Sequence, residues 1–106
     1  MSEMQFTDSN FESEVLKSGK IALVDFFASW CGPCKLQGPI VEELAAEIGA
    51  KAKIGKMDVD ANPQIAGRFE IMSIPTIIIF KNGEAIQRFT GLQGKEVLLS
   101  EINKLL

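Results

Sequence analysis

The chain has 106 residues, of which 46% are hydrophobic and 24% are charged, and its formal net charge is -3. This length and composition predict one folded domain over residues 1–106 with a hydrophobic core. The negative charge argues against nucleic acid as a partner, and no apolar run reaches the roughly 18 residues of a membrane-spanning helix.

Missing residue types exclude further classes of site. The chain has no histidine, no tyrosine and only two cysteines. Without histidine there is no Ser-His-Asp or Cys-His pair, and two cysteines cannot supply the four ligands of a structural zinc site. We expect no metal, and a zinc ion shared between two chains is the alternative left open.

The first six residues lack the basic and apolar regions of a signal peptide. We therefore expect a cytoplasmic protein. Because the cytosol keeps thiols reduced, closely spaced cysteines there are more often catalytic or metal-binding than structural.

Two short elements are predicted before residue 20. Residues 5–7 have the pattern of a brief strand. Residues 9–12, Ser-Asn-Phe-Glu, match the capping box that begins many helices, and Phe11, Val15 and Leu16 follow at helical spacing. Gly19 is expected to end this first helix.

Strands and helices then alternate. Residues 21–28 are apolar on both faces, which is typical of a central strand in a parallel sheet. A helix is predicted over residues 32–48. Its expected buried stripe consists of Leu36, Ile40, Val41, Leu44 and Ile48. A third strand is predicted over residues 53–59, and a short helix over residues 64–69.

The last third of the chain predicts a hairpin and a helix. Residues 76–80 form the fourth strand, and Asn82-Gly83 is a hairpin turn, so a fifth strand over 85–89 should run antiparallel to it. The final helix, 94–106, should turn four apolar side chains inward: Val97, Leu98, Ile102 and Leu105. The predicted fold is α/β, with a mixed central sheet of about five strands flanked by four helices in three layers.

The two cysteines, Cys31 and Cys34, are separated by Gly32 and Pro33 at the predicted start of the long helix. Thiols at this spacing can close and reopen a small disulfide ring. The helix N-terminus favours the thiolate, which is the nucleophile, and Cys31 comes first on the exposed loop. We expect Cys31 to attack a disulfide and the more buried Cys34 to resolve the mixed disulfide. A small stabilising disulfide is the alternative interpretation.

Asp25 lies in the middle of the apolar second strand, which leads into the cysteine loop. A buried carboxyl tends to stay protonated, so its pKa should be raised, and it could exchange a proton with Cys34. The alternative is that Asp25 reaches water. Lys56, on the expected neighbouring strand, either pairs with Asp25 or is solvated at a strand end.

Two further residues stand near this site in the predicted fold. Pro75 directly precedes the fourth strand and is either an ordinary proline at a strand start or a cis-proline. Trp30, the only tryptophan, lies beside the cysteines, either exposed as a docking surface or folded onto the core.

Together these residues resemble the thioredoxin family. Residues 30–35, Trp-Cys-Gly-Pro-Cys-Lys, match the active-site motif of that family in full. The segments 24–28, 56–60, 74–76 and 80–83 also follow its order and spacing, so the resemblance covers nearly the whole chain.

The resemblance implies roles for individual residues. It implies that Pro75 is in the cis form beside the disulfide, where it supports the site together with Gly32 and Pro33. It also implies that the Ile74 backbone pairs with a bound peptide. The docking surface is completed by Trp30, Met72 and Gly91.

Three positions depart from the family pattern. Phe27 stands where many members have tryptophan, and Met72 stands where some have arginine, which makes the docking rim more apolar. Gln37-Gly38 places a polar residue and a glycine in the second turn of the active-site helix, and glycine there should loosen the segment.

The resemblance implies a protein-disulfide reductase that carries electrons through the Cys31 and Cys34 pair. The expected partners are a thioredoxin reductase and disulfide-containing proteins, with no cofactor in the chain itself, because NADPH or ferredoxin acts only through the reductase. A monomer is expected. The alternatives are a disulfide oxidase or isomerase, which the Gly-Pro pair argues against, and a binding module whose role needs no redox chemistry.

Overall fold

The computed structural model describes residues 3–106. The expectations of a single domain and of no signal peptide also cover Met1 and Ser2, which lie outside the described residues. In chain order the strands and α-helices are β1 (Met4–Gln5), β2 (Ile21–Phe27), α1 (Gly32–Ile48), β3 (Ala52–Asp58), α2 (Pro63–Arg68), β4 (Thr76–Lys81), β5 (Glu84–Thr90) and α3 (Lys95–Leu105). A π-helical turn, Glu12–Leu16, precedes β2. Among the described residues, no helix is long and apolar enough to cross a membrane.

The five strands form one mixed sheet in the order β1-β3-β2-β4-β5. The strands β1, β3 and β2 are parallel, whereas β4 runs antiparallel to both β2 and β5. The central position of β2 explains why its residues are apolar on both faces. The predicted mixed sheet of five strands is confirmed.

The core has two halves, one on each face of the sheet. On one face, α1 and α3 cover odd-numbered residues of β2 and β4, such as Leu23 and Ile77. On the other face, the π-helical turn and α2 cover the even-numbered residues, such as Val24 and Ile78. The sheet is therefore the middle of three layers, as expected.

The first helix differs from its prediction. The predicted capping box at residues 9–12 is wrong, because Thr7 and Asn10 bond to each other instead. The Thr7 backbone N–H donates to Asn10 Oδ1 at 2.7 Å, and the Asn10 backbone N–H donates to Thr7 Oγ1 at 3.1 Å. This turn also ends β1 at Gln5, two residues before the prediction. The sheet is therefore flanked by three α-helices and one π-helical turn rather than by four regular helices.

Two predicted buried stripes are partly wrong. In α1, Leu36 is 62% exposed and Ile40 only partly buried, while Gln37 is completely buried. In α3, Val97 is exposed, whereas Leu98 and Ile102 are buried as expected. The neighbours on the sheet decide how each helix is rotated, and helical spacing alone does not reveal that rotation.

Candidate active site

Cys31 and Cys34 lie where β2 passes into α1, and a disulfide joins them across a Cα–Cα distance of 5.3 Å. Cys31 is the N-cap of α1, and its Sγ accepts a hydrogen bond from the Cys34 backbone N–H at 3.2 Å. Pro33 occupies the first turn, where its missing N–H leaves no helical hydrogen bond unmade. The helix N-terminus therefore stabilises negative charge on the Cys31 sulfur.

The expected difference in burial between the two cysteines is wrong. Cys31 is 4% exposed and Cys34 is 5% exposed. Their surroundings differ instead, because the Cys31 Sγ lies 3.7 Å from the Ile74 carbonyl oxygen and Cys34 lines a cavity of about 350 Å³ behind the helix. A Cβ added to Gly32 would contact nothing within 4 Å, so the surface beside Cys31 is open.

Asp25 is buried in β2 with 1% of its surface exposed, so the alternative in which it reaches water is wrong. Burial, with a smaller contribution from the charge of Glu3, raises the pKa of its carboxyl from 3.8 to about 7, against the opposing effect of Lys56. Its Oδ1 has no hydrogen-bond partner among the described residues. The carboxyl therefore changes protonation near neutral pH.

Lys56 fits neither of its two predicted environments fully. It is the register partner of Asp25 in the neighbouring strand, but its Nζ lies 3.8 Å from Glu3 Oε1 and 5.2 Å from the centre of the Phe27 ring. Its side chain is about one-third exposed at the mouth of the cavity that Cys34 lines. Sequence reasoning missed Glu3, because no pattern indicated that the chain before β1 reaches this site.

Two residues of the expected docking surface are exposed. Trp30 is 69% exposed and Met72 is 91% exposed, so the interpretation of Trp30 as a core residue is wrong. The Trp30 Nε1 donates a hydrogen bond of 2.7 Å to Asp60 Oδ2, which anchors the indole without burying it. The role of Asp60 had no signal in the sequence.

The segment from Ile74 to Thr76 forms the other wall of this surface. The Ile74–Pro75 peptide bond is cis, as the resemblance implied. Ile74 packs against the two cysteines, and the Pro75 carbonyl accepts a 2.8 Å hydrogen bond from the Gly91 N–H. Gly91 has a φ of 93°, a conformation that favours glycine. The structure thus brings Cys31, Ile74, Pro75 and Gly91 together.

Gln37 ties the active-site helix to the loop after β5. Its side chain is fully buried, with Nε2 donating to the Gln93 carbonyl at 3.0 Å and Oε1 accepting from the Gln93 N–H at 2.8 Å. Sequence reasoning noted this polar residue but predicted no partner. The pair fixes the loop that carries Gly91 relative to the cysteines.

No three cysteine, histidine or acidic side chains among residues 3–106 lie close enough to hold a metal ion. The site combines one dithiol–disulfide pair, a carboxyl with a raised pKa and an apolar surface beside them.

Comparisons with known proteins agree with this geometry. The thioredoxin family model matches residues 2–104. A thioredoxin of Staphylococcus saprophyticus is 51% identical over 104 residues, which is 98% of each chain. A thioredoxin of Mycobacterium tuberculosis is 46% identical over 100 residues, covering 94% of this chain and 86% of that relative. The structure of chloroplastic thioredoxin z superimposes with a TM-score of 0.89 at 28% identity, covering 99% of this chain and 95% of that one.

Proposed function

The chain belongs to the thioredoxin family, and from that premise we propose that it is a general reductant of protein disulfides, re-reduced by a thioredoxin reductase. It is a dithiol–disulfide redox carrier and a disulfide oxidoreductase. The observation that carries the proposal is the Cys31 sulfur, which caps α1 and forms a disulfide with Cys34 next to the Ile74 carbonyl.

The exchange proceeds in two steps. The Cys31 thiolate attacks one sulfur of a target disulfide, which forms a mixed disulfide and releases the first target thiolate. The Cys34 thiolate then attacks the Cys31 sulfur, which forms the Cys31–Cys34 disulfide and releases the second target thiol. Two electrons pass to the target, and the reductase returns them to the pair.

Asp25 is proposed as the proton acceptor for Cys34. A carboxyl with a pKa of about 7 is close to the acidity at which general acid–base exchange is most efficient in neutral solution. Lys56 lines the same cavity as Cys34. Its positive charge lowers the pKa of Asp25 and so favours the ionised carboxylate, the form that can accept a proton from Cys34.

We propose that Trp30, Met72, Ile74 and Gly91 bind the target as an extended segment. The backbone of Ile74 faces the Cys31 sulfur, and the rim around it is apolar. Recognition through backbone and apolar contacts tolerates many target sequences. Gly32, Pro33 and Pro75 are proposed to support this geometry, in the Trp-Cys-Gly-Pro-Cys type of active site.

The remaining expectations are part of the same proposal. Residues 1–106 act as one domain and a monomer in the cytoplasm, without nucleic acid or membrane partners. The chain carries no cofactor of its own, since NADPH or ferredoxin would serve only the reductase. An oxidase, an isomerase and a redox-independent binding module are the alternatives. A redox titration of the Cys31–Cys34 pair against glutathione separates a reductase from an oxidase or isomerase, because a reductase has the lower reduction potential.

The test is reduction of insulin disulfides by the wild-type protein and by Cys31→Ser and Cys34→Ser variants. Wild-type protein should reduce insulin with a dithiol reductant as electron source, and both variants should lose this activity. Only Cys34→Ser should accumulate mixed disulfides with targets, because it keeps the attacking thiol and lacks the resolving one. Mixed disulfides that accumulate with Cys31→Ser instead would reverse the two roles.

An Ile74→Asp variant in the same assay tests the docking surface. It should weaken insulin reduction several-fold and leave the redox potential of the pair nearly unchanged, because the added charge meets the target and not the disulfide. Val97→Asp, at an exposed position on α3, is the matched control. Equal losses in both variants would place target binding elsewhere.

A variant with both cysteines replaced by serine tests the binding module. If this variant fully restores the cellular role, the role needs no redox chemistry and the binding module is favoured.

A further inference from the structure

An acidic, a basic and a second acidic side chain lie side by side across neighbouring strands, on the side of the sheet that faces α1. They are Glu3, Lys56 and Asp25, and we name them the carboxyl row. Lys56 on β3 is the register partner of Asp25 on β2, and Glu3 directly precedes β1, which pairs with β3. Glu3 and Lys56 line the cavity that also exposes Cys34. The row therefore reaches from the N-terminal segment to the resolving cysteine.

The ion pair in this row is not the one that the strand register suggests. Among residues 3–106, Lys56 pairs with Glu3 at 3.8 Å and forms no ion pair with its register partner Asp25. The Glu3 side chain is 10% exposed, and its Oε2, like Asp25 Oδ1, has no hydrogen-bond partner among the described residues. Glu3 is thus a second carboxyl that is largely shielded from water, beside one lysine.

The close approach of β1 to β3 places Glu3 in this position. Gly55 is the register partner of Met4, and a Cβ added to Gly55 would overlap the Met4 carbonyl group. A side chain at residue 55 would force the N-terminal segment away from β3. The glycine therefore permits the approach that brings Glu3 to Lys56.

We propose that Glu3 is a positioning residue for the resolving step: its carboxylate holds the Lys56 ammonium at the outer end of the carboxyl row and leaves Asp25 without a counter-ion. The assignment rests on the proposed function for its effect on turnover, but its effect on Asp25 is a property of the folded chain alone.

The electrostatics of the row agree in sign. The charge of Glu3 raises the pKa of Asp25, and that of Lys56 lowers it, so a Glu3 that draws Lys56 away acts twice in the same direction. Burial in turn raises the pKa of Glu3, an effect that Lys56 opposes and Glu42 increases. The other charged or titratable groups at the cavity are all on α1: Lys35, Glu42 and, when reduced, Cys34.

This arrangement has a consequence for the resolving step. A more acidic Asp25 is a weaker base, and it releases its proton at lower pH. Loss of the Glu3 charge should therefore move the pH dependence of Cys34 deprotonation, and of turnover where that step limits it, towards acid.

The experiment compares the wild-type protein with Glu3→Gln and Glu14→Gln. Glu14 is a matched control because it also pairs with a β3 lysine, Lys53, and its removal changes the charge equally. The Asp25 carboxyl carbon is followed by NMR from pH 4 to 10 in the oxidised proteins, in which no thiol titrates. Glu3→Gln should move the midpoint of Asp25 to lower pH, and Glu14→Gln should leave it at the wild-type value.

An unchanged or raised midpoint in Glu3→Gln, or an equal fall in Glu14→Gln, overturns the proposal. Glu3→Asp keeps the charge, so its Asp25 midpoint should lie closer to the wild-type value than the midpoint in Glu3→Gln. An equal fall in both variants would assign the effect to packing and would also overturn the proposal. Because the titration uses no target or reductase, its outcome is independent of the proposed function. Insulin reduction across the same pH range then tests whether turnover follows the Asp25 midpoint.

Discussion

Asp25 and Trp30 each lie in an environment that their side-chain chemistry disfavours. The carboxyl of Asp25 is enclosed in the core, whereas the indole of Trp30 is 69% exposed. The buried carboxyl destabilises the fold and gains a pKa suited to proton exchange. The exposed indole is held by its hydrogen bond to Asp60 and leaves apolar surface open to solvent. Neither environment is the one that maximises stability, which agrees with the roles proposed for the two residues.

Asp25 should make the stability of the protein depend on pH. At pH 4 the carboxyl is protonated in the folded chain and only about half ionised in the unfolded chain, so the penalty is small. Between a pKa of 3.8 and one of about 7, only the unfolded chain ionises, so the free energy of unfolding falls as pH rises. At about 1.4 kcal/mol per pH unit, the penalty approaches roughly 4 kcal/mol above pH 7.

Asp25→Asn should therefore raise the free energy of unfolding at pH 8 by up to roughly 4 kcal/mol and change it little at pH 4, because the amide carries no charge. Urea unfolding of the oxidised protein at the two pH values measures this difference. The same variant should resolve mixed disulfides more slowly. A gain in stability of equal size at both pH values would show that burial of charge is not its cause.

At the scale of elements, the position of α1 relative to the loop after β5 is decided by a polar contact. Gln37 lies fully buried on the helix and forms both of its hydrogen bonds with the Gln93 backbone. The same helix carries the cysteines, and the same loop carries Gly91, which bonds to Pro75. The contact therefore connects the helix that carries the cysteines to the loop that carries Gly91, at a distance from the sulfur atoms.

Gln37→Leu should loosen this connection, since it leaves the Gln93 N–H and carbonyl without partners. Gln93 is only partly buried, so water replaces some of the loss, and we expect a destabilisation of about 1 kcal/mol. Hydrogen exchange should show a clear fall in protection of the Gln93 amide. Leu36→Ala, at the exposed neighbouring position, is the control and should change neither quantity. A Gln93 amide that stays protected in Gln37→Leu would contradict the assignment.

At the scale of the whole molecule, three aromatic rings join distant parts of the chain on the face opposite α1. Phe11 directly precedes the π-helical turn, Phe69 follows α2 and Phe80 lies in β4, with ring centroids 5.3 to 5.6 Å apart. Phe11 and Phe80 are completely buried. Tilted and edge-to-face rings at this distance add to the free energy of burial. This cluster closes the second half of the core.

Phe11→Ala should lower the free energy of unfolding by about 3–5 kcal/mol, as expected for a large cavity in a packed core. Phe89→Ala removes the same group from a partly buried position on the edge strand and should be less destabilising. Urea unfolding monitored by circular dichroism measures both variants. Losses of equal size would mean that the aromatic cluster is no more important than the edge of the sheet.

The sequence alone determined the type of fold and the cysteine pair, and it favoured the burial of Asp25 over exposure. These features depend on local patterns: apolar residues along a strand, turn residues between elements and the spacing of two thiols. Most element boundaries follow within one or two residues, because the same local patterns begin and end them. The family resemblance added the cis form of Pro75, which local chemistry alone left open.

Only the tertiary structure decided which side chains meet across the sheet. Helical spacing in α1 does not reveal that Gln37, rather than Leu36, faces inward, because the rotation of a helix is set by what packs beneath it. The partner of Lys56 is Glu3, more than 50 residues away, and the indole of Trp30 bonds to Asp60, 30 residues away. Such contacts arise from strand order and register, which bring together residues that no local pattern relates.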